Sequence, residues 1–270
     1  MKEFFKKARR QKNLMVGGVI TLLFVVMAVF APWLAPFHPI DHADLRHSEE
    51  SPNRTYLFGT DNQGRDILSR VIYGSRISLS VGLVSQGLNS LIGILLGLTA
   101  GFLGRRWDDL VMGLTNVMLS IPSLVFALAI MAVLGPGLIN IFLALGLTNW
   151  AYSCRITRSQ VLFTRSLDYV MAARALGYGE VRIMFTQILP NIMGPILVVA
   201  TLGVAGAILI EAALSFLGLG TQPPIPSWGG MLSNAREQLF TAPWISIFPG
   251  TSSTPILPGQ EDKEDLMGRG

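Results

Sequence analysis

The stretch that decides the fold runs from residue 191 to residue 217 and reads NIMGPILVVATLGVAGAILIEAALSFL. Residues 183–210, which overlap most of it, contain no Asp, Glu, Lys or Arg. A helix of about 20 apolar residues crosses the hydrocarbon core of a bilayer and satisfies its own backbone hydrogen bonds there. This stretch therefore predicts a transmembrane helix.

The rest of the chain repeats this pattern, since residues 14–37, 77–104 and 110–154 are also free of charged side chains. Half of the 270 residues are apolar and only 14% are charged, against about a quarter in a soluble domain. We therefore predict an all-α, polytopic transmembrane helix bundle with about five spans, at residues 14–35, 77–103, 110–134, 138–153 and 191–217.

The net charge of +4 does not indicate nucleic-acid binding, because the basic residues are concentrated beside the predicted spans. The single cysteine, Cys154, excludes a disulfide framework or a cysteine-based metal site built within this chain.

The basic residues also orient the spans. Residues 1–13 carry six Lys and Arg against one Glu, and residues 154–190 carry five Arg against two acids. Cytoplasmic segments have such an excess, so both are predicted to lie in the cytoplasm. Residues 36–76 then form an external segment, and residues 77–250 form a core domain that includes the cytoplasmic loop. Residues 251–270 combine two prolines with a charge run, which predicts an atypical, disordered tail and no sixth span.

Two patterns inside the predicted spans concern helix packing. Gly93, Gly97 and Gly101 recur at every fourth position, which lets helices approach closely and favours a packing role over gating. Pro122 interrupts the third span and predicts a kink, which could serve either packing or the shape of a pore.

Small residues dominate one part of the predicted cytoplasmic loop. Residues 169–177 read YVMAARALG, and Leu189-Pro190 closes the segment. A short helix over about 167–176 would present a smooth face, and a glycine after it would permit the turn that ends it. We predict a docking surface for another protein here, with site residues Ala172, Ala173, Arg174, Gly177, Leu189 and Pro190.

The predicted external segment contains FGTDNQGRDILSR at residues 58–70. Its glycines permit turns, Asp61 or Asp66 can cap a helix, and Arg65, Arg70 and Arg76 can pair with these acids. By itself the pattern predicts a capped helix at the membrane interface. The candidate site residues in it are Gly59, Thr60, Asp61, Gly64, Arg65 and Asp66.

Glu211 is the only Asp, Glu, Lys or Arg within the predicted spans. An intramembrane carboxyl group is a functional candidate, and a structural Glu buried between subunits with a polar partner is the alternative. The histidines at positions 38, 42 and 47 share no helix face, so we expect a solvated loop and no metal site. No Gly-x-x-x-x-Gly-Lys-Ser/Thr segment occurs, so we expect no ATPase site in this chain, no cofactor and no enzymatic activity.

The order of the motif residues closely resembles one family, the dipeptide/oligopeptide/nickel class of ABC-transporter permeases. GTDNQGRD at 59–66, followed by SR at 69–70 and GSRISL at 74–79, is similar to the external motif of this class. EAALSFLGLG at 211–220 and PSWGG at 226–230 also look like it. AARALG at 172–177 with Leu189-Pro190 resembles the ATPase-coupling motif of ABC importers, and the resemblance extends from about residue 14 to residue 250.

The resemblance implies a type I importer permease fold, for which the family has six spans. It implies a permease subunit that forms the path for di- or oligopeptides in the bacterial cytoplasmic membrane, with its N-terminus inside. The implied partners are a second permease subunit, two cytoplasmic ATPase subunits, an external substrate-binding protein and the lipid membrane.

Alternatives remain open at this point. The permease could serve nickel or a metal chelate, and an ATP-independent channel, a secondary transporter or an intramembrane enzyme are further readings. The chain departs from the family pattern twice, since Met171 stands where the coupling motif usually has Glu, and residues 251–270 replace the sixth span.

Overall fold

The computed structural model describes residues 12–253, and it describes side chains for residues 17–251. The predicted cytoplasmic N-terminus therefore lies almost entirely outside the described residues, as does the predicted tail from residue 254 onward. Within the described range the chain is helical and contains no β-strand, only an isolated bridge between Thr60 and Asp66. The predicted all-α class is confirmed.

The α-helices are numbered in chain order: α1 Lys12–Val29, α2 Ala31–Leu34, α3 Ile67–Leu103, α4 Arg105–Ser120, α5 Ser123–Leu134, α6 Leu138–Gly146, α7 Trp150–Thr164, α8 Asp168–Ala175, α9 Glu180–Arg182, α10 Leu189–Phe216, α11 Trp228–Asn234 and α12 Trp244–Ser253. Two short 3₁₀-helices, Leu45–His47 and Ala235–Gln238, and one π-helix, Ile183–Ile188, lie between them.

Two continuous helical stretches are long and apolar enough to cross a membrane. They are α3 and the run Glu180–Phe216, which joins α9, the π-helix and α10, and each has 37 residues. At about 1.5 Å per residue each is about 55 Å long, well beyond a hydrocarbon core of about 30 Å. The predicted spans 77–103 and 191–217 lie inside these helices, and both helices begin about ten residues earlier than their predicted spans.

The third predicted span is bent, because α4 and α5 meet at an angle of 89°. Ile121 between them has an extended backbone (φ −97°, ψ 125°), as expected for a residue that precedes a proline. Pro122 thus produces a sharp corner where the sequence predicts only a kink in a continuous helix.

The fourth predicted span is divided between α6 and α7, and α7 continues to Thr164, well into the predicted cytoplasmic loop. The first span corresponds to α1, whose described apolar part is short, Gly17–Val29. Among the described residues, two single helices and one bent pair meet the length and hydropathy expected of a span. The count of five stays a prediction.

The chain forms two compact units, residues 81–210 and the remainder. In the unit of residues 81–210, α3 packs closely on α7 through its glycines. A Cβ atom at Gly93 would lie 2.5 Å from the Ser153 Cβ, and one at Gly97 would lie 2.5 Å from the Cys154 carbonyl oxygen. The packing interpretation of the glycine repeat is therefore confirmed.

The other unit is built around the start of α3. Trp228 at the start of α11 is completely buried, and its indole N–H donates to the Val71 carbonyl oxygen at 3.1 Å. The Phe58 and Phe248 rings stack with centroids 3.9 Å apart, which holds α12 against the loop before α3. Helix α12 contains Pro249 and continues to Ser253, so residues 251–253 are helical, and the rest of the predicted tail lies outside the described residues.

Candidate functional site

Helix α8 occupies the predicted coupling segment and ends in a Schellman motif. Gly177 has a φ of +79°, its N–H donates to the Arg174 carbonyl at 3.0 Å, and the Tyr178 N–H donates to the Ala173 carbonyl at 3.2 Å. These are the two hydrogen bonds that define this helix ending, in which glycine is favoured because it adopts positive φ without strain. The predicted turn at Gly177 is therefore present.

The two faces of α8 differ. Val170 and Ala173 are buried in a cluster that includes Ile183 and Ile188 of the π-helix, and Leu189 packs against the same cluster. Ala173 is 6% exposed and thus attaches α8 to the start of the long helical stretch, and Leu189 packs against the same cluster while partly exposed.

The opposite face is exposed and apolar. Leu176 is 75% exposed, Val181 65% and Met171 54%, and Ala172 and Ala175 beside them are exposed as well. We call this surface the apolar tip; its residues are Met171, Ala172, Ala175, Leu176 and Val181. Outside the bilayer, exposed apolar residues grouped in this way are typical of an interaction site.

The arginines around the tip are held by aromatic rings and helix ends. The Arg182 guanidinium lies 4.2 Å from the Tyr178 ring centroid, and the Arg174 guanidinium lies 5.7 Å from that of Phe102. Arg165 donates to the Gly101 carbonyl at 2.8 Å, at the C-terminal end of α3 where a cation is favoured. The contacts of Arg174 and Arg165 thus attach α8 and the end of α7 to the C-terminal end of α3.

The π-helix joins α9 to α10. The Leu189 N–H donates to the Met184 carbonyl, five residues earlier. Pro190 follows, and a proline has no N–H and its ring would collide with the carbonyl four residues earlier in an α-helix. The wider π turn is thus the local accommodation of Pro190, and such turns occur frequently at functional sites.

The external motif forms a buried polar cluster around Asp61. Its Oδ2 accepts from Arg65 Nε at 2.8 Å, and its Oδ1 accepts from the backbone N–H groups of Gln63 and Arg65 at 2.8 and 3.0 Å. Gly64 turns the chain at φ +69°, and a Cβ there would collide with the Asp44 backbone. Asp61 and Arg65 are only 7% and 3% exposed, so this ion pair is buried within its unit, and the location of the motif at the membrane interface stays a prediction.

Asp66 caps the N-terminus of α3. The sequence predicts either Asp61 or Asp66 as a helix cap. Its Oδ2 accepts from the Ser69 backbone N–H at 2.7 Å and from the Ser69 hydroxyl at 2.5 Å. The Thr60 hydroxyl donates to the His47 carbonyl and accepts from the Glu50 N–H. A Cβ at Gly59 would lie 2.5 Å from the Glu50 carbonyl oxygen.

Of the two other arginines predicted to pair with these acids, one does so. Arg70 lies 3.5 Å from Asp61 and donates to the Pro39 carbonyl at 3.0 Å, whereas Arg76 is exposed and has no ion-pair partner within the described part of the chain. The external motif thus forms the loop before α3 and caps the first turn of this helix.

Glu211 is completely buried, and its Oε1 accepts from the Ser215 hydroxyl at 2.7 Å. The predicted polar partner of a structural Glu is therefore present. His38 and His47 pair separately with Asp41 and Glu50, and residues 12–253 contain no cluster of three potential metal ligands.

Sequence reasoning missed the partners of the arginines and the π-helix. Phe102 and Gly101 are more than 60 residues from the arginines they contact, and no local pattern predicts such pairs.

Comparison with known proteins identifies the family. The model of the binding-protein-dependent transport system inner membrane component matches residues 93–257, and that of the N-terminal transmembrane domain of oligopeptide transport permease C matches residues 1–52.

Full-length relatives agree with these matches. The chain is 45% identical over 255 residues to the di/tripeptide transport system permease protein DppC of Pseudomonas aeruginosa, covering 93% of this chain and 84% of that protein. It is 42% identical to the dipeptide transport system permease protein DppC of Alkalihalophilus pseudofirmus, with 96% and 84% covered. It is 39% identical to the oligopeptide transport system permease protein OppC of Bacillus subtilis, with 92% and 81% covered. The chain belongs to the family of binding-protein-dependent transport system inner membrane components, the permease subunits of ABC importers.

Proposed function

We propose that this permease subunit forms part of the path by which di- and oligopeptides enter the cell, driven by ATP that separate subunits hydrolyse. The observation that carries the proposal is the apolar tip, an exposed apolar surface at the start of a 37-residue helical stretch. The three relatives described above are named for the transport of dipeptides, tripeptides or oligopeptides, which favours peptides over nickel as the substrate class.

The proposed partners supply ATP hydrolysis, the rest of the transport path and delivery of the peptide. Its sequence has no phosphate-binding loop of the Gly-Lys-Ser/Thr type, so ATP hydrolysis is assigned to two cytoplasmic ATPase subunits. A second permease subunit completes the path, and an external binding protein delivers the peptide.

The proposed orientation places residues 1–13 and the loop 154–190 in the cytoplasm. The excess of arginine over acidic residues in that loop supports this side. The apolar tip then faces the ATPase subunits, and the cluster around Asp61 lies outside.

The proposed mechanism is alternating access driven through α8. When the ATPase subunits close on ATP, they move the tip, and α8 passes the movement to α10 through the buried cluster that both share. Ala172 and Arg174 lie on the exposed side, Ala173 and Leu189 transmit through the cluster, and Gly177 and Pro190 set the turn and the π-helix.

Met171 is half exposed at the position where the coupling motif usually has Glu. It extends the apolar surface of the tip, so we expect the contact with the ATPase to rest on apolar burial more than on a polar pair. Burying a methionine side chain contributes about 1.5–3 kcal/mol, which compensates for a missing exposed ion pair of about 0–1 kcal/mol.

The test is peptide uptake by the complete transporter in proteoliposomes, with and without ATP. Leu176→Asp should abolish ATP-driven uptake and co-purification of the ATPase subunits. Leu45→Asp is the matched control, since Leu45 is also 75% exposed but lies in the predicted external segment. Uptake that proceeds without ATP, or uptake of nickel in place of peptide, would contradict the proposal.

A further inference from the structure

Glu211 lies where three helices of one unit meet. It is on α10 and is completely buried, with Ser215 one turn further along the same helix. Ser78 of α3 and Ser227, the N-cap of α11, lie beside its carboxyl group. The residues around this carboxyl are thus hydroxyl-bearing residues from each of the three helices.

The hydrogen bonds at this junction leave two atoms without partners. Oε1 of Glu211 accepts from the Ser215 hydroxyl, but Oε2 has no partner, and neither does the Ser78 hydroxyl oxygen, within the described residues. Both atoms are inaccessible to solvent. Buried polar atoms without partners are rare in folded proteins, so each needs an explanation.

No cation compensates a negative charge on Glu211 among the described side chains. No Lys, Arg or His side chain forms an ion pair with it in residues 17–251. An ionised carboxylate that is buried without a cation is strongly disfavoured, and it offers acceptors only. A protonated carboxyl group instead provides one O–H donor.

We propose that Glu211 holds a fixed proton on Oε2 and donates it to the Ser78 hydroxyl oxygen, so that a neutral carboxyl group joins α3, α10 and the start of α11. One hydrogen bond then accounts for both unpartnered atoms. Glu211 is a positioning residue in this account, and the account is independent of what the permease transports.

The contacts of α11 explain why such a junction is needed. A Cβ at Gly229 would lie 2.5 Å from the Ala212 Cα, so the start of α11 already lies directly against α10 beside Glu211. The Ser227 hydroxyl accepts from the Thr221 hydroxyl at 2.7 Å and from the Gly230 N–H at 3.1 Å, which leaves its own proton for the carboxyl group. The neutral carboxyl group therefore fixes the position of the N-terminus of α11.

The experiment is infrared difference spectroscopy of the complete transporter in lipid nanodiscs at neutral pH, wild type against Glu211→Gln. We expect the carbonyl stretch of a protonated carboxyl group in the wild type, shifted in D₂O and absent from the variant. A carboxylate band in its place, or no protonated band that the substitution removes, would overturn the proposal.

Two further variants keep the test decisive if Glu211→Gln folds poorly. Ser78→Ala removes the acceptor and should shift the protonated band, whereas Ser80→Ala, two positions along the same helix, should leave it unchanged. An identical band in Ser78→Ala would refute the assigned hydrogen bond.

Transport adds a readout that separates a neutral hydrogen-bonding role from a charged one. The Gln side chain supplies an NH2 donor and a carbonyl acceptor, as a protonated carboxyl group supplies an O–H donor and a carbonyl acceptor, so Glu211→Gln should retain transport. Glu211→Asp keeps an ionisable group but withdraws it from the serines, and should lose about tenfold. The reverse order would show that the charge is required and would contradict the proposal.

Discussion

Asp108 of α4 and Arg158 of α7 form an ion pair with two hydrogen bonds, in which Nε and Nη2 each lie 2.5 Å from a carboxylate oxygen. The pair is partly buried, with side-chain exposures of 16% for Asp108 and 29% for Arg158. The two residues are 50 positions apart in the sequence, and their ion pair joins α4 to α7.

Loss of this pair should destabilise the permease. Arg158→Ala leaves a partly buried carboxylate without its partner, and we expect a cost of about 1–3 kcal/mol, seen as a lower unfolding temperature in detergent. The hydrogen bonds to Asp108 raise the pKa of Arg158 above its ordinary value, so the stability that depends on the charge of this arginine is lost only as the pH rises through that raised pKa.

Arg155→Ala is the matched control for that measurement. Its guanidinium donates to the Asn116 side chain at an exposed position on the same helix, so its loss should change the unfolding temperature little. Equal losses from the two variants would contradict the importance of the Asp108–Arg158 pair.

Substitutions of Gly177 should act through the backbone alone. No heavy atom lies within 4 Å of a Cβ built there, so Gly177→Ala collides with nothing but adopts positive φ at a cost of about 1–2 kcal/mol. Asn tolerates this conformation better. We expect ATP-driven uptake to decrease in the order Gly, Asn, Ala at equal amounts of permease in the membrane.

Gly113→Ala controls for the change of side chain in that series. Gly113 lies within α4, and a Cβ there also meets nothing within 4 Å, so the substitution should be neutral or slightly stabilising. Normal uptake by Gly177→Ala would mean that the turn after α8 does not matter for coupling.

Removal of Pro190 should release the π-helix. Pro190→Ala restores the missing N–H, so we expect residues 183–188 to adopt α geometry, which changes the rotation of α8 relative to α10. The transporter should then hydrolyse ATP without matching uptake, measured as the ratio of peptide transported to ATP consumed.

Pro195→Ala is the control for the proline substitution, because Pro195 also lies inside α10 but no π turn precedes it. Its ratio of transport to hydrolysis should stay near that of the wild type. An unchanged ratio of transport to hydrolysis in Pro190→Ala would show that coupling does not depend on the π-helix.

The buried cluster of the external motif should be needed for folding. Asp61→Ala leaves Arg65 without its carboxylate in a site from which solvent is excluded, and we expect a loss of about 3–5 kcal/mol. The permease should nearly disappear from the membrane, measured by immunoblot. Asp41→Ala, at an exposed ion pair in the same segment, should leave its amount unchanged.

Features carried by local composition could be predicted from the sequence. The long helices follow from runs without charge, the cap at Asp66 from an Asp before an apolar run, and the turn at Gly177 from a glycine after a short helix of small residues. Each depends on neighbours within about four positions in the chain.

Features that depend on distant contacts could not be predicted. The 89° corner at Pro122, the extension of α7 beyond residue 154 and the partners of Arg158 and Arg165 all require knowledge of which helices meet. The π-helix was missed for another reason, since a proline near the start of a span is equally compatible with an ordinary kink.

Labelling from outside intact cells tests the central claim most directly, namely that the apolar tip lies in the cytoplasm where ATPase subunits can reach it. Leu176→Cys and Leu45→Cys place thiols at equally exposed positions, and Cys154 is completely buried and does not compete. A membrane-impermeant maleimide should label Leu45→Cys in intact cells and label Leu176→Cys only after the cells are broken. Labelling of Leu176→Cys in intact cells would contradict the account.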